Sequence, residues 1–434
     1  MWNLLKSEQK KMQINAQNWL QLATKVFHFR RDQLSSKEIE ALQKEIRGLR
    51  SEIKEKADAS TLKLSVGRLE DCLQKSGGTF YPKSGMAEWV EFLLVAAILF
   101  IGIRTFFVQP FKIPTNSMWP SYYGMTAEVF TSEEEEPNLL AKTIRLAAHG
   151  AKRYSIDAPV SGELRLPFIL SGNSMQLVKV PVAMKRWLVF PASGKEYTFY
   201  VGEEAVTIKV PADFRIEKAL SEMWFGEGKS LQENLISKMA SRDYTEGYLT
   251  LPYKEGKRSV PAVFVSTGKF FEKGDRLLSF DILTGDQLFV DRMSYHFSKP
   301  KVGQGFVFRT RNIKGIERPG KYTDKFYIKR LVGVPGDVLE IKTPVLFRNG
   351  SAIEGSAAFD YNAQREGLYR GYQNKEKLSA GKTFTVPEDS FFAMGDNSLD
   401  SQDSRYWGTV PENDVIGRPL FIYYPFTKRW GPSL

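Results

Sequence analysis

Cysteine occurs once in this chain, at Cys72, and histidine only at His28, His149 and His296. A single thiol excludes intrachain disulfides and thiolate metal clusters. So little histidine leaves no obvious ligand set for zinc, and only His296 stands near other candidate chemistry, with nothing around it resembling a Ser-His-Asp triad. No internal repeat stands out, and the charged and apolar fractions, 26% and 42%, are those of an ordinary folded protein rather than a disordered or fibrous one. Long apolar runs are scarce too, with one segment after Trp89 forming the exception. Charge is the one bulk property in excess: 61 basic against 50 acidic side chains give a formal +11. Nucleic acid and anionic lipid would both suit that balance, and composition does not choose between them.

With 434 residues the chain has room for two or three domains. Residues 1–80 read as helical. Ile39, Leu42, Ile46, Leu49 and Ile53 fall on one helical stripe, and Leu62, Val66, Leu69 and Leu73 continue a similar pattern out of phase. The stripe falls short of three sustained heptads, so a helical hairpin is preferred and a coiled coil is the alternative. An earlier apolar face at Trp19, Leu20, Leu22, Val26 and Phe27 has basic neighbours and suits a membrane surface. Gly77, Gly78, Pro82 and Gly85 mark a linker. Residues 89–108 then read as a transmembrane anchor, with Glu91 and Arg104 near its ends and Trp89, Phe106 and Phe107 as interfacial aromatics. A buried core helix is the alternative. Excess Lys and Arg before the anchor predicts that residues 1–88 are cytoplasmic and everything after Val108 is exported.

From Thr126 onward, short β-branched and aromatic runs alternate with Gly and Pro, as in VKVPVAMKRWLVF, YTFYVG, AVTIKV, GFVFRT and VLEIKT. That texture predicts a mainly β region, interrupted by a helical stretch over roughly 216–240. Glu133–Glu136 reads as a solvated acidic loop.

Three segments carry candidate chemistry. Ser117 sits between Pro114 and Pro120 just beyond the anchor, in a segment whose fixed φ angles would hold a hydroxyl in one orientation. Lys329 stands in the apolar run FYIKRLVGVPGD, where desolvation would lower its pKa and let a neutral amine take the serine proton. The third, MGDNSLDSQDSRYWG, is a polar turn holding a hydroxyl to orient an amine and a carboxylate–guanidinium pair to brace it. Each has a plainer reading alone: a turn serine, a solvent-facing lysine, an Asx-rich turn.

Taken in order, QPFKIPTNSMWP, GDQLFVDR, YIKRLVGVPGD and MGDNSLDSQDSRYWG resemble the sequence boxes of type I signal peptidases, over about 89–125 and 285–425. The resemblance implies a mainly β, signal-peptidase-like catalytic domain (109–125 with 274–434), a β-rich insertion (126–273), one transmembrane helix and an N-terminal helical region. It implies Ser117 as nucleophile and Lys329 as general base of a serine endopeptidase, with Ser401 hydrogen-bonded to the Lys329 amine. The oxyanion hole would be the Ser117 N–H and the Thr115 hydroxyl. Asp403 and Arg405 would form a supporting pair near Asp396, and Met118 would line the substrate groove. No cofactor or metal is implied. The expected partners are exported preproteins as substrates, the lipid bilayer and the export machinery, and no nucleic acid. Thr115 and Asn116 stand where the family commonly has Ser and Gly, Trp119 replaces a smaller apolar residue, and Ser398 occupies a place often held by arginine. The greatest departure is the long separation of Ser117 from Lys329, for which the insertion accounts; it could be a docking surface, a lid or a spacer. A non-catalytic membrane scaffold, and a nucleic-acid binder using the basic stretch 309–330, are the rival readings.

Overall fold

The computed structural model describes all residues except 1–7, 83–84, 172–173, 187–189, 227–229, 254–255, 317–323 and 434, so Trp187–Val189 and part of the basic stretch 309–330 lie outside it. It divides into two compact units, Met1–Gly102 and Ile103–Leu434.

The first unit contains three packed helices, Glu8–Arg30, Ser36–Lys54 and Ala59–Ser76. A Ser35/Glu38 capping box starts the second and the Asp58 side chain caps the third. The expected stripes meet in one core: Leu42, Ile46 and Leu49 from the second helix, and Leu62, Val66, Leu69 and Leu73 from the third. The first helix adds Ala16, Ala23 and Val26, turning the expected hairpin into a three-helix bundle. That also corrects the reading of Trp19, Leu20, Leu22 and Phe27 as a membrane face, since all four pack against the bundle core. A further helix, Gly85–Gly102, continues through a π-helical turn to Phe107, and this 23-residue segment is apolar enough to cross a membrane. None of its residues is buried, so the core-helix alternative fails.

The second unit is β-rich. An antiparallel sheet runs in the order Val108–Lys112, Gln287–Asp291, Val415–Tyr424, Gly305–Arg309, Phe326–Gly333, Ser390–Met394, Val410–Pro411, with Gly431–Pro432 on one side of Val415–Tyr424. The sheet curls: Phe111 of the first strand meets Phe326 of the fifth, ring centroids 5.1 Å apart. Phe111 and Ile328 therefore pack on the same core as Met118, Tyr122, Leu288 and Val307. A smaller four-stranded sheet, from Val338–Lys342 to Thr383–Thr385, flanks this region.

Between Ser117 and Lys329 lies the region read as an insertion. Its main sheet has seven strands, running from Gly162–Ser171 to Gly256–Phe271. The helical stretch expected near 216–240 is two helices, Glu217–Phe225 and Leu231–Ala240, the second opening with a Ser230/Glu233 capping box. A separate three-stranded sheet pairs Thr126–Val129 and Lys152–Asp157 with Arg276–Leu283. Leu277, Leu278, Phe280 and Ile282 join the same core as the seven-stranded sheet, so that core reaches beyond Lys273.

Candidate active site

The Ser117 segment leaves strand Val108–Lys112 and is tied down at each step. The Ile113 N–H donates to the Asp286 carbonyl and the Met125 N–H to the Pro114 carbonyl. Asn116 clasps the loop: its Oδ1 accepts from the Gly124 N–H at 2.8 Å, and its Nδ2 donates to the Met125 carbonyl at 3.2 Å. On the far side Asn397 donates to both carbonyls of the turn, its Nδ2 to Asn116 at 3.0 Å and its N–H to Ser117 at 3.2 Å. Residues 116–118 form a single 3₁₀ turn, a geometry in which successive side chains diverge sharply. Ser117 is therefore left half-buried and Met118 wholly buried.

Lys329 comes from a strand flanked on both sides, with Phe306 directly opposite in one neighbour and Arg330 opposite Met394 in the other. The lysine is 4% exposed, so the solvent-facing reading fails. Its Nζ lies 2.5 Å from Ser117 Oγ. Burial holds its pKa down to about 8, although the nearby Asp403 and Asp396 carboxylates pull the other way. Two hundred and twelve residues of chain separate these two atoms, and the curl of the sheet brings them into hydrogen-bond contact.

Two ion pairs brace this dyad, both out of water. Arg405 grips Asp403 with two parallel bonds of 2.8 Å and also donates to Ser398 Oγ, the Ser398 carbonyl and the Gln373 carbonyl. Asp403 accepts in addition from the Gly395 N–H at 3.1 Å. Arg330, next to the lysine, grips Asp396 at 2.8 and 2.6 Å and also reaches the Gly303 carbonyl and Ser121 Oγ. Buried guanidinium–carboxylate pairs with their remaining hydrogen bonds satisfied are rigid supports. Gly395 sits where the two serines converge: a Cβ there would collide with the Ser117 carbonyl and the Ser401 side chain.

A family model described as "Signal peptidase, peptidase S26" matches residues 278–424. The probable signal peptidase I-1 of a Synechocystis strain is 30% identical over 190 residues, covering 42% of this chain and 88% of that protein. A signal peptidase I of Bacillus caldolyticus is 32% identical over 146 residues, covering 33% of this chain and 73% of its own length. One from Leptolyngbya laminosa is 28% identical over 165 residues, covering 38% and 72%. The chain belongs to the signal peptidase I family of serine endopeptidases.

Against the expectations for a signal peptidase I, three placements differ or are new. Ser401 is 3% exposed, but its hydroxyl has no hydrogen-bond partner, so the expected bond to the Lys329 amine is not made; the amine is turned to Ser117 instead. Met118 does not line a groove: fully buried, it fills the core beneath the turn with Ile113, Tyr122 and Leu288. Ser398, where arginine was the familiar residue, is no gap, since its hydroxyl accepts from Arg405 and from the Gln373 N–H. Thr115, exposed at the head of the turn, makes no capping bond to it. Sequence reasoning missed Arg330 and Ser121 altogether. The available signal was an arginine inside an apolar strand run, which must find a carboxylate if it is buried.

Proposed function

We propose that this chain is a membrane-anchored signal peptidase I that removes signal peptides from exported preproteins with a Ser117/Lys329 dyad. The observation that carries the reading is the 2.5 Å separation of Lys329 Nζ from Ser117 Oγ, with the amine buried and its pKa lowered to about 8. A neutral amine there accepts the serine proton as Oγ attacks the scissile carbonyl carbon. The resulting oxyanion is held by the Ser117 N–H and the Thr115 hydroxyl. When the C–N bond breaks, Lys329 returns its proton to the leaving amine, and Ser117 keeps the acyl group. Lys329 then takes a proton from water, whose oxygen attacks the acyl carbon, and passes that proton to Ser117 as the acid leaves.

Asp403 with Arg405, and Asp396 with Arg330, keep the two loops and the lysine strand in register and touch no substrate. Ser401, a buried hydroxyl beside Gly395, turns toward the amine when substrate displaces the Ser117–Lys329 contact. The substrate is an extended peptide with small residues before the cut. Segment 85–107 anchors the enzyme, the bundle of residues 8–76 lies in the cytoplasm, and the β-rich unit works on the outer face beside the export machinery. Residues 126–273 are an insertion into the catalytic domain, a change that a surface loop accommodates at small entropic cost.

The direct test uses the purified full chain in detergent with a preprotein substrate. Wild type should release the signal peptide and Ser117→Ala should not, with unchanged circular dichroism. Cleavage that survives Ser117→Ala rules out the dyad.

A further inference from the structure

The helix Leu139–His149 is amphipathic in the reverse of the usual sense. Its charged side faces the protein. Arg145 pairs with Glu128 at 2.6 Å and Asp281 at 3.0 Å, and Lys142 reaches Glu136 at 3.6 Å. Glu136 and Asp281 are in turn held by Arg153, at 2.7 and 2.6 Å. This network fixes the helix rotation and leaves the apolar side in water: Leu139 is 82% exposed, Leu140 71%, Ile144 57% and Leu146 54%. The patch continues beyond the helix. The Phe426 N–H donates to the Ala148 carbonyl and Phe426 is exposed, while Trp430, four residues on and also exposed, packs against Phe421 of the sheet. A contiguous apolar face of this kind on a folded domain marks a contact surface.

The occupant is indicated by where the chain leaves its apolar segment. Phe107 ends that segment, and strand Val108–Lys112 begins at the next residue. Lys112 pairs with Gln287, which pairs with Tyr424, whose hydroxyl donates to the Leu146 and Ala147 carbonyls at the end of the helix. A five-residue strand, two strand spacings and the length of the Tyr424 side chain place the end of the helix within roughly 30 Å of the exit of the anchor. Trp430, exposed near the same C-terminal turn, is a side chain of the kind enriched at the bilayer interface.

We infer that Leu139–His149, with Phe426 and Trp430, is a second membrane contact, lying in the lipid interface and holding the β-rich unit against the bilayer. This rests on the anchoring role of segment 85–107. Glu133, Glu134 and Glu135 stand exposed just before the helix, so the attraction is apolar and needs no anionic lipid.

The test uses the full-length chain with Cys72→Ser, carrying an environment-sensitive fluorophore at Ile144→Cys and, as a control on an exposed turn of the large sheet, at Glu203→Cys. Both are reconstituted into phosphatidylcholine vesicles with and without nitroxide-labelled lipid. The Ile144 label should be quenched several-fold more by the lipid nitroxide than the Glu203 label and be shielded from iodide, equally with or without added phosphatidylglycerol. A label as open to iodide as the control overturns the inference. Shielding without quenching by lipid also overturns it, because a second copy or another protein would then cover the face. If the chain does not float with the vesicles at all, the anchoring reading fails as well; if it floats with the label exposed, only the second contact fails. Leu140→Glu with Ile144→Glu should leave peptide cleavage in detergent unchanged and lower preprotein cleavage in vesicles several-fold. Equal processing in vesicles would contradict the contact.

Discussion

Charge is handled in opposite ways around Lys329 and around the helix Leu139–His149. Around Lys329, both members of the Arg330–Asp396 and Arg405–Asp403 pairs are essentially out of water, and each guanidinium spends its spare N–H groups on carbonyls and hydroxyls. Around helix Leu139–His149, the pairs are partly wet, and they decide only which way a helix is turned. In the first region, loss of a partner strands a buried ion; in the second, water replaces it at the Lys142–Glu136 and Arg145–Glu128 pairs, and only Asp281, held between Arg145 and Arg153, is buried. Buried pairs can therefore hold reacting groups to a fixed geometry, while half-exposed ones set orientation at little energetic stake.

The largest effect expected from breaking that contrast is on turnover. Lys329→Arg keeps the positive charge but cannot release its proton, so cleavage should fall at least about 10³-fold in initial-rate assays. Substantial remaining turnover would remove the lysine from the mechanism. Next come the ion pairs themselves. Asp396→Ala leaves Arg330 charged and buried and should lower stability by about 3–5 kcal/mol in urea unfolding. Lys142→Ala, at the partly exposed pair, should lower it by less than about 1 kcal/mol. Equal losses would erase the distinction between the two regions.

The lysine itself should be a destabilising residue at neutral pH. Its folded pKa of about 8 lies below the usual 10.5, so the unfolded chain binds more protons between those values and stability rises with pH across that window. The penalty is fully present below about pH 8 and gone above about pH 10.5. Lys329→Met should therefore be more stable than wild type by up to about 3 kcal/mol near pH 7, with the gap closing through that window. The smallest effect belongs to Ser401→Ala. It removes a buried hydroxyl that makes no hydrogen bond, and the unfolding free energy in urea should barely change, by less than about 1 kcal/mol.

How much of this was legible in the sequence depended on the range of the interactions. Ser117, Lys329 and the Asp403–Arg405 pair were readable because their surrounding boxes are local and occur in order. The strand texture after Thr126 was readable because alternation and turn residues are local too. Arg330 was not: its partner Asp396 is 66 residues away, and only the pairing of the two strands shows that both are buried. Met118, which the resemblance put in the substrate groove, is wholly buried, because the direction in which a 3₁₀ turn aims a side chain is not written in the box around it. Helix Leu139–His149 was passed over beside the acidic run Glu133–Glu136. That run is not wholly a solvated loop: Glu136 is half-buried and bonded to Arg153, Arg276 and Ser279. With its charged side inward, the helix inverts the rule by which apolar periodicity is usually read.

The central claim is that Lys329 is dry enough to be a base, and the pH dependence of kcat/KM tests it most directly. A single lysine base with a pKa of about 8 predicts a rate that climbs roughly tenfold per pH unit at acid pH and levels off above about pH 9. A profile still rising in proportion to hydroxide through pH 9, with its midpoint near about 10.4, would mean an ordinary solvated lysine and would contradict the account.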